Sequence, residues 1–181
     1  MAKLTVGSEM PDFSFSTPFQ KGRTLAGTVR NVQGKTAVIF LRYYGCPLCQ
    51  FDIREFAVSY DRIRQAEGQI LIVLQSDPVE MAKQMKREDL PFDIICDPDQ
   101  ELYRLFEVKP AGSKEELVDE RSREKILAAK AAGFTHGKYE GEELQLPAVF
   151  ITDDQRKLVY VHYGKTIGDI LTPEELAETM A

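Results

Sequence analysis

Apolar residues in this chain cluster in unbroken runs more than they alternate. Thr36-Ala37-Val38-Ile39-Phe40-Leu41, Ile70 to Leu74 and Ala148-Val149-Phe150-Ile151 carry almost no polar interruption, which suits strands buried on both faces of a sheet. Phe92 to Cys96 predicts a shorter strand of the same kind. Between these runs the period lengthens to threes and fours. Leu48, Phe51, Ile53, Phe56, Tyr60 and Ile63 predict a helix from Pro47 to about Ala66, with proline in its first turn and Gly68 closing it. Asp77-Pro78 opens a second helix to about Glu88, and Asp97-Pro98-Asp99 a short one ending near Phe106. Leu158 to Tyr163 alternates as a returning antiparallel strand, and Thr172-Pro173-Glu174-Glu175 caps a closing helix. Strand and helix thus alternate three times before a strand, a strand and a helix. That order predicts an α/β fold whose parallel strands are covered by helices on both sides, with a hairpin at one edge.

Two segments fall outside this rhythm. Residues 1–35 are rich in Gly, Thr, Ser and Pro; Phe13-Ser14-Phe15-Ser16 and Thr24 to Val29 predict a small β-hairpin, an N-terminal extension of the domain. Residues 113–141 form an insertion. Ser113-Lys114-Glu115-Glu116 predicts a capping box, and the charged stretch to Gly133 a surface helix with few large apolar residues. The 181 residues therefore read as one domain with two elaborations.

Composition narrows the function classes. Hydrophobic residues at 43% and charged residues at 29% are those of a globular chain. The net charge of −6, without a basic block, argues against nucleic acid or an anionic membrane as partner. The first residues lack the apolar core of about 7–15 residues that a signal peptide carries, and the longest apolar runs are far short of the ~20 a membrane span requires. A cytoplasmic location is the expectation. Three cysteines are too few for a disulfide scaffold.

Two of those cysteines carry the candidate chemistry. In Cys46-Pro47-Leu48-Cys49 they sit where a buried strand hands over to a helix. Free N–H groups and partial positive charge at a helix start favour a thiolate, and one turn of spacing lets two sulfurs reach disulfide distance. One thiol attacks an oxidised substrate and the other resolves the product. A pair of ordinary core cysteines, or half of a zinc site completed by Cys96, His136 and His162, are the competing readings; none of the latter three has paired spacing. No cofactor motif and no metal site are read in the chain. Cys96 reads as a core cysteine, His162 as a surface histidine, and His136 lies in a Gly-rich stretch without a visible partner. Of Tyr43 and Tyr44, one is expected to pack and the other to line the site. Pro147, before a buried strand, is either a cis proline or an ordinary trans proline at a strand start.

At these residues the chain resembles the thioredoxin superfamily, and more narrowly its peroxiredoxin-like redoxin branch, the alkyl hydroperoxide reductase and thiol-specific antioxidant type. Phe40-Leu41-Arg42-Tyr43-Tyr44-Gly45-Cys46-Pro47-Leu48-Cys49 is similar to that branch's C-P-x-C signature. Pro91 to Asp99 with Tyr103 and Phe106-Glu107-Val108, Leu146 to Ile151, and Gly7-Ser8-Glu9-Met10-Pro11-Asp12-Phe13 resemble further redoxin segments. The resemblance implies a thioredoxin-like three-layer fold with a central mixed sheet. It also implies a thiol-dependent antioxidant oxidoreductase acting on a disulfide or peroxide, served by a thiol reductant. A homodimer is the one macromolecular partner it leaves open.

The departures matter as much. Where peroxiredoxins carry P-x-x-x-T-x-x-C, this chain has Arg42, Cys46 and Cys49, and their second active-site arginine falls on Pro147. The buried aspartate of thioredoxins falls on Phe40. Two assignments follow. In the thioredoxin-like one, Cys46 attacks, Cys49 resolves, and a cis Pro147 beside Pro47 and Tyr44 lines the groove. In the peroxiredoxin-like one, Cys49 is oxidised by peroxide, Cys46 condenses with it and Arg42 holds the thiolate. The position of Cys46 before the helix start predicts that it is the more accessible thiol and the attacking one. A redox-sensing or redox-inactive binding module is the alternative from outside enzymology.

Overall fold

The computed structural model describes residues 2–181. A five-stranded sheet runs through the centre. Its strands are β3 (Thr36–Phe40), β4 (Gln69–Leu74), β5 (Asp93–Cys96), β6 (Ala148–Thr152) and β7 (Leu158–Tyr163), in the order β5-β4-β3-β6-β7. β3, β4 and β5 are parallel, while β6 runs antiparallel to β3 and pairs with β7 as a hairpin. The sheet is therefore mixed, as the order of elements predicts.

The unbroken apolar runs are explained by two cores, one on each face. Along β3, Ala37 and Ile39 enter one core and Val38 and Phe40 the other. Along β4, Ile70, Ile72 and Leu74 face the first core and Leu71 and Val73 the second. Successive side chains point to opposite faces, so a strand covered on both sides has no polar position to offer. The first core is closed by α2 (Pro47–Val58), α3 (Asp61–Gln65) and α8 (Pro173–Met180). The second is closed by α1 (Leu25–Val29), α5 (Glu101–Leu105) and an aromatic cluster of Phe13, Phe40, Tyr103, Phe106 and Phe150. Among the described residues no helix is long and apolar enough to cross a membrane.

Several local expectations are corrected. The N-terminal hairpin is present, but its arms β1 (Ser14–Phe15) and β2 (Arg23–Thr24) hold two residues each. Thr24 to Val29 is not strand: the Thr24 hydroxyl accepts from Gly27 N–H at 3.1 Å and starts α1, whose Leu25 and Val29 bury together one turn apart. The helix predicted to run from Pro47 to Ala66 breaks at Ser59, which lets Tyr60 turn inward so that its hydroxyl accepts from Ile70 N–H at 3.3 Å. Glu67, at φ 55°, makes the left-handed turn expected of Gly68. The helix from Asp77 is α4 (Pro78–Ala82), followed by a 3₁₀ turn at Arg87–Asp89.

The insertion is two helices, α6 (Lys114–Leu117) and α7 (Glu120–Ala131). Ser113 caps α6, but the Glu116 carboxylate accepts from Gly112 N–H and not from Ser113, so the reciprocal half of the box lands one residue early. Asp119 breaks the run by capping α7 through Ser122. α7 is more than a surface helix. It lies on α2, where Lys125 Nζ is 2.7 Å from the buried Asp52 carboxylate, and Ser122 Oγ accepts from Gly168 N–H at 3.0 Å. The chain beyond it crosses the C-terminal end of β3.

Candidate active site

Cys46 is the N-cap of α2. Its sulfur accepts from Cys49 N–H at 3.4 Å, and Pro47 occupies the first turn, where a missing N–H leaves nothing unpaired. Arg42 leaves the end of β3 and does two things. Its backbone N–H points at the Cys49 sulfur, 3.4 Å away, and its guanidinium Nη2 donates to the Cys46 sulfur at 3.2 Å. The other end of the guanidinium is anchored in the segment after α7, with Nη1 at 2.7 Å from the Glu143 carbonyl and 3.3 Å from its carboxylate. Gln75 locks that anchor: its amide nitrogen donates to the Arg42 and Glu142 carbonyls and its oxygen accepts from Glu142 N–H.

A roof covers the thiols. Gly45 and Gly137 approach so closely that the carbonyl of Gly45 accepts from Gly137 N–H at 2.8 Å, and a Cβ on Gly45 would meet the Lys138 carbonyl oxygen at 2.4 Å. Only glycine permits this contact. Beside it, Tyr43 is wholly buried, its hydroxyl bonded to His136 Nε2 at 3.0 Å, and His136 stacks on Tyr139 with ring centroids 3.9 Å apart. Under the roof lies a cavity of about 460 Å³ lined by Arg42, Cys46, Pro47 and Leu48 from the sheet end and α2, by Ile126 and Lys130 from α7, and by Phe134 to His136 and Ile167.

The electrostatics separate the two cysteines. A hydrogen bond from the Cys49 thiol lowers Cys46 to about 6, against the opposing effect of its burial and with further help from the Arg42 charge. Burial pushes Cys49 well above its ordinary value, and holding the proton that bonds to Cys46 pushes it the same way. The site thus holds one thiolate and one thiol near neutral pH.

Cys46, Cys49, Pro47 and Arg42 are brought together as the sequence predicts. Other expectations are corrected. Cys46 is not the exposed thiol: it has 0% exposure, against 2% for Cys49, because the insertion lies across it. What distinguishes it is that Cys46, and not Cys49, borders the cavity. Pro147 is buried and trans, no cis peptide occurring among the described residues; its carbonyl accepts from Gly164 N–H, and it does not line the cavity. Tyr44 lines a separate hollow on the other side of α2 with Ile53, Met85 and Leu90, while Tyr43 is the packed one. His136, without a partner in the sequence reading, has two. Cys96 is a core residue: its sulfur lies 3.7 Å from that of Met81, and burial pushes it up to about 12. His162 pairs with Asp169 at 2.9 Å.

Sequence reasoning missed Glu143, Gln75, Ile126 and Lys130. Only Gln75 had a local signal, a polar residue at the end of the buried Ile70 to Leu74 run.

The dithiol thus sits where a strand hands over to a helix, on a mixed five-stranded sheet. The AhpC/TSA family model matches residues 6–161. The chain belongs to the AhpC/TSA family. As a member it is a thiol-dependent antioxidant oxidoreductase of peroxiredoxin-like type. No curated protein matches it. Solved structures share the fold at low identity. A cysteine-to-serine variant of PrxQ from Xylella fastidiosa is similar at 11% identity, TM-score 0.69, over 98% of this chain and 96% of that one. Peroxidoxin BcpB from Mycobacterium tuberculosis is similar at 12%, TM-score 0.66, over 97% and 93%. A variant of peroxiredoxin 6 from Arenicola marina is similar at 14%, TM-score 0.67, over 98% and 72%.

Proposed function

We propose that this AhpC/TSA chain reduces a peroxide at Cys46 and that Cys49 resolves the oxidised product as an intramolecular disulfide. The observation that carries this is that the Cys46 sulfur accepts from Arg42 Nη2 at 3.2 Å and that Cys46, and not Cys49, is among the residues lining the cavity. The Cys46 thiolate attacks the distal oxygen of R–O–O–H. The O–O bond breaks, Cys46 becomes a sulfenic acid, and the alkoxide leaves to take a proton from water. Arg42 stabilises charge as it moves from sulfur to the departing oxygen. The Cys49 thiol then attacks the sulfenic sulfur and water leaves with the Cys49 proton and the sulfenic hydroxyl. A dithiol reductant opens the Cys46–Cys49 disulfide by exchange, which suits the reducing environment of the cytoplasm. The buried Cys46 and the trans Pro147 favour a small peroxide over the extended backbone of a protein disulfide.

The Cys49→Ser variant tests the assignment. Treated with one equivalent of peroxide, it should accumulate a sulfenic acid that dimedone captures on Cys46. An adduct found only on Cys49, in the Cys46→Ser variant, reverses the roles. Absence of peroxide consumption by the wild type in the presence of a dithiol rejects the peroxidase reading.

A further inference from the structure

One buried hydroxyl beside Arg42 faces two acceptors. Tyr43 is wholly buried, and its hydroxyl lies 3.0 Å from His136 Nε2. Nδ1 of the same ring lies 2.8 Å from the Gly137 carbonyl. A carbonyl only accepts, so Nδ1 carries a hydrogen. In the neutral ring Nε2 is therefore bare and accepts the Tyr43 proton. The second acceptor is Glu143. Burial first, and then the Glu143 carboxylate as acceptor, keep the proton on the Tyr43 hydroxyl. Yet Glu143 Oε1 is buried without a hydrogen-bond partner among the described residues, while Oε2 meets Arg42 Nη1 at 3.3 Å.

One hydroxyl has one proton and cannot serve both acceptors, and a buried carboxylate oxygen without a donor is costly. Protonation of His136 resolves the conflict. Nε2 then donates to the Tyr43 oxygen, and Tyr43 turns its own proton to Glu143 Oε1. Tyr43 and Arg42 now share the carboxylate charge. Less of that charge competes with the Cys46 sulfur for the guanidinium, whose Nη2 reaches the sulfur at 3.2 Å. His136 is exposed and can exchange its proton with solvent. The other groups around it are Arg42 from the end of β3, Cys46 from α2 and Lys130 from α7, which line the same cavity, and Tyr139 stacked on the ring.

We propose that His136 is a positioning residue for the reaction at Cys46: by taking up a proton it turns the Tyr43 hydroxyl from itself to Glu143 and so leaves the Arg42 charge to the Cys46 sulfur. It acts through Tyr43, Glu143 and Arg42. The kinetic consequence rests on the peroxidase reading of Cys46; the hydrogen-bond switch itself does not.

Single-turnover oxidation of Cys46 by hydrogen peroxide, followed against pH by stopped flow, tests the consequence. The wild-type rate should rise through about 6 with the Cys46 thiolate. It should then fall roughly two- to tenfold as His136 loses its proton, the worth of one net hydrogen bond. Tyr43→Phe and His136→Phe should both lose the descent, but at opposite levels. Without the hydroxyl, Glu143 Oε1 stays unpaired and the rate stays on the lower plateau. Without the imidazole, the hydroxyl has only Glu143 to serve and the rate stays on the upper plateau. A merely structural role would lower both. A profile without a descent, a descent kept in either variant, or one common plateau overturns the proposal, while peroxide turnover itself upholds the reading beneath it.

Nuclear magnetic resonance of the imidazole tests the switch without turnover. The chain holds two histidines, so in His162→Gln the remaining signal is that of His136. Its titration midpoint should move to lower pH when Cys46→Ser removes the thiolate, because coupling between two sites is reciprocal. Tyr43→Phe should erase that dependence. A midpoint that ignores Cys46, or follows it equally in Tyr43→Phe, rejects the switch even where peroxide is consumed. The expected midpoints in a protein that consumes no peroxide uphold the switch and reject the peroxidase reading.

Discussion

Arg42 Nη2 lies 3.2 Å from the Cys46 sulfur, while Nη1 of the same guanidinium holds the Glu143 carbonyl at 2.7 Å. A single side chain thus connects the Cys46 sulfur to Glu143, which lies 101 residues beyond Arg42 in sequence.

Arg42→Gln removes the charge and leaves a side chain that can hydrogen-bond. The thiolate loses its ion partner, so the Cys46 pKa should rise, and the peroxide rate at neutral pH should fall at least about tenfold, more than the smaller thiolate fraction explains, because the departing oxygen also loses the charge that stabilises it. Thiolate absorbance at 240 nm, followed against pH, checks the first; stopped-flow peroxide consumption checks the second. Unchanged titration would remove Arg42 from the mechanism.

The reaction should switch on as pH rises through about 6, where Cys46 loses its proton. The same shift has a sign for stability. The folded state carries a thiolate where the unfolded chain still carries a thiol, so this group's contribution is complete above its ordinary value of 9.0 and is lost as pH falls through about 6. Denaturant melts of wild type and Cys46→Ser should converge toward acid and diverge between these limits, with the wild type gaining. Cys49, shifted upward, acts in the opposite sense above 9.0.

Lys125→Met leaves the Asp52 carboxylate buried without its cation. Breaking a buried pair costs about 3–5 kcal/mol, so the denaturant midpoint should drop sharply. Asp52→Asn in the same background should recover much of the loss, because an amide tolerates burial better than an unpaired charge. A midpoint unchanged in Lys125→Met would mean that α7 does not depend on this pair.

Gly45→Ala places a methyl 2.4 Å from the Lys138 carbonyl. Backbone cannot yield as a flexible side chain does, so the roof must shift. A destabilisation of about 1–3 kcal/mol is expected, with faster hydrogen exchange at Gly137 N–H, whose acceptor is the Gly45 carbonyl. Retained protection there would show that the loop absorbs the methyl without moving.

Cys96 should be inert. Buried and pushed up to about 12, it should resist alkylation in the folded Cys46→Ser/Cys49→Ser double variant and react only on unfolding. Native-state labelling at neutral pH checks this by mass.

The reach of the sequence is clear from which residues it located. The runs at Thr36, Ile70 and Ala148 announced strands covered on both faces, because a strand between two cores has no solvent side on which to alternate. Cys46-Pro47-Leu48-Cys49 announced a dithiol at a helix start, because the cap, the proline and the one-turn spacing are all local features. Thr24 misled because its short alternation also satisfies a capped helix, and the burial of Leu25 and Val29 in the second core settles the choice.

The sequence alone therefore determined the mixed α/β frame, the two cysteines at the helix start and the arginine beside them. Which thiol borders the cavity, and what surrounds it, were decided only by the tertiary structure. Glu143 reaches Arg42 across 101 residues, His136 reaches Tyr43 across 93, and Glu142 reaches Gln75 across 67. Contacts that distant leave no period or spacing in the chain. They exist because Gly45 and Gly137 lack side chains and can meet, and because Asp52 and Lys125 hold α7 on α2, which lays the insertion over the end of the sheet.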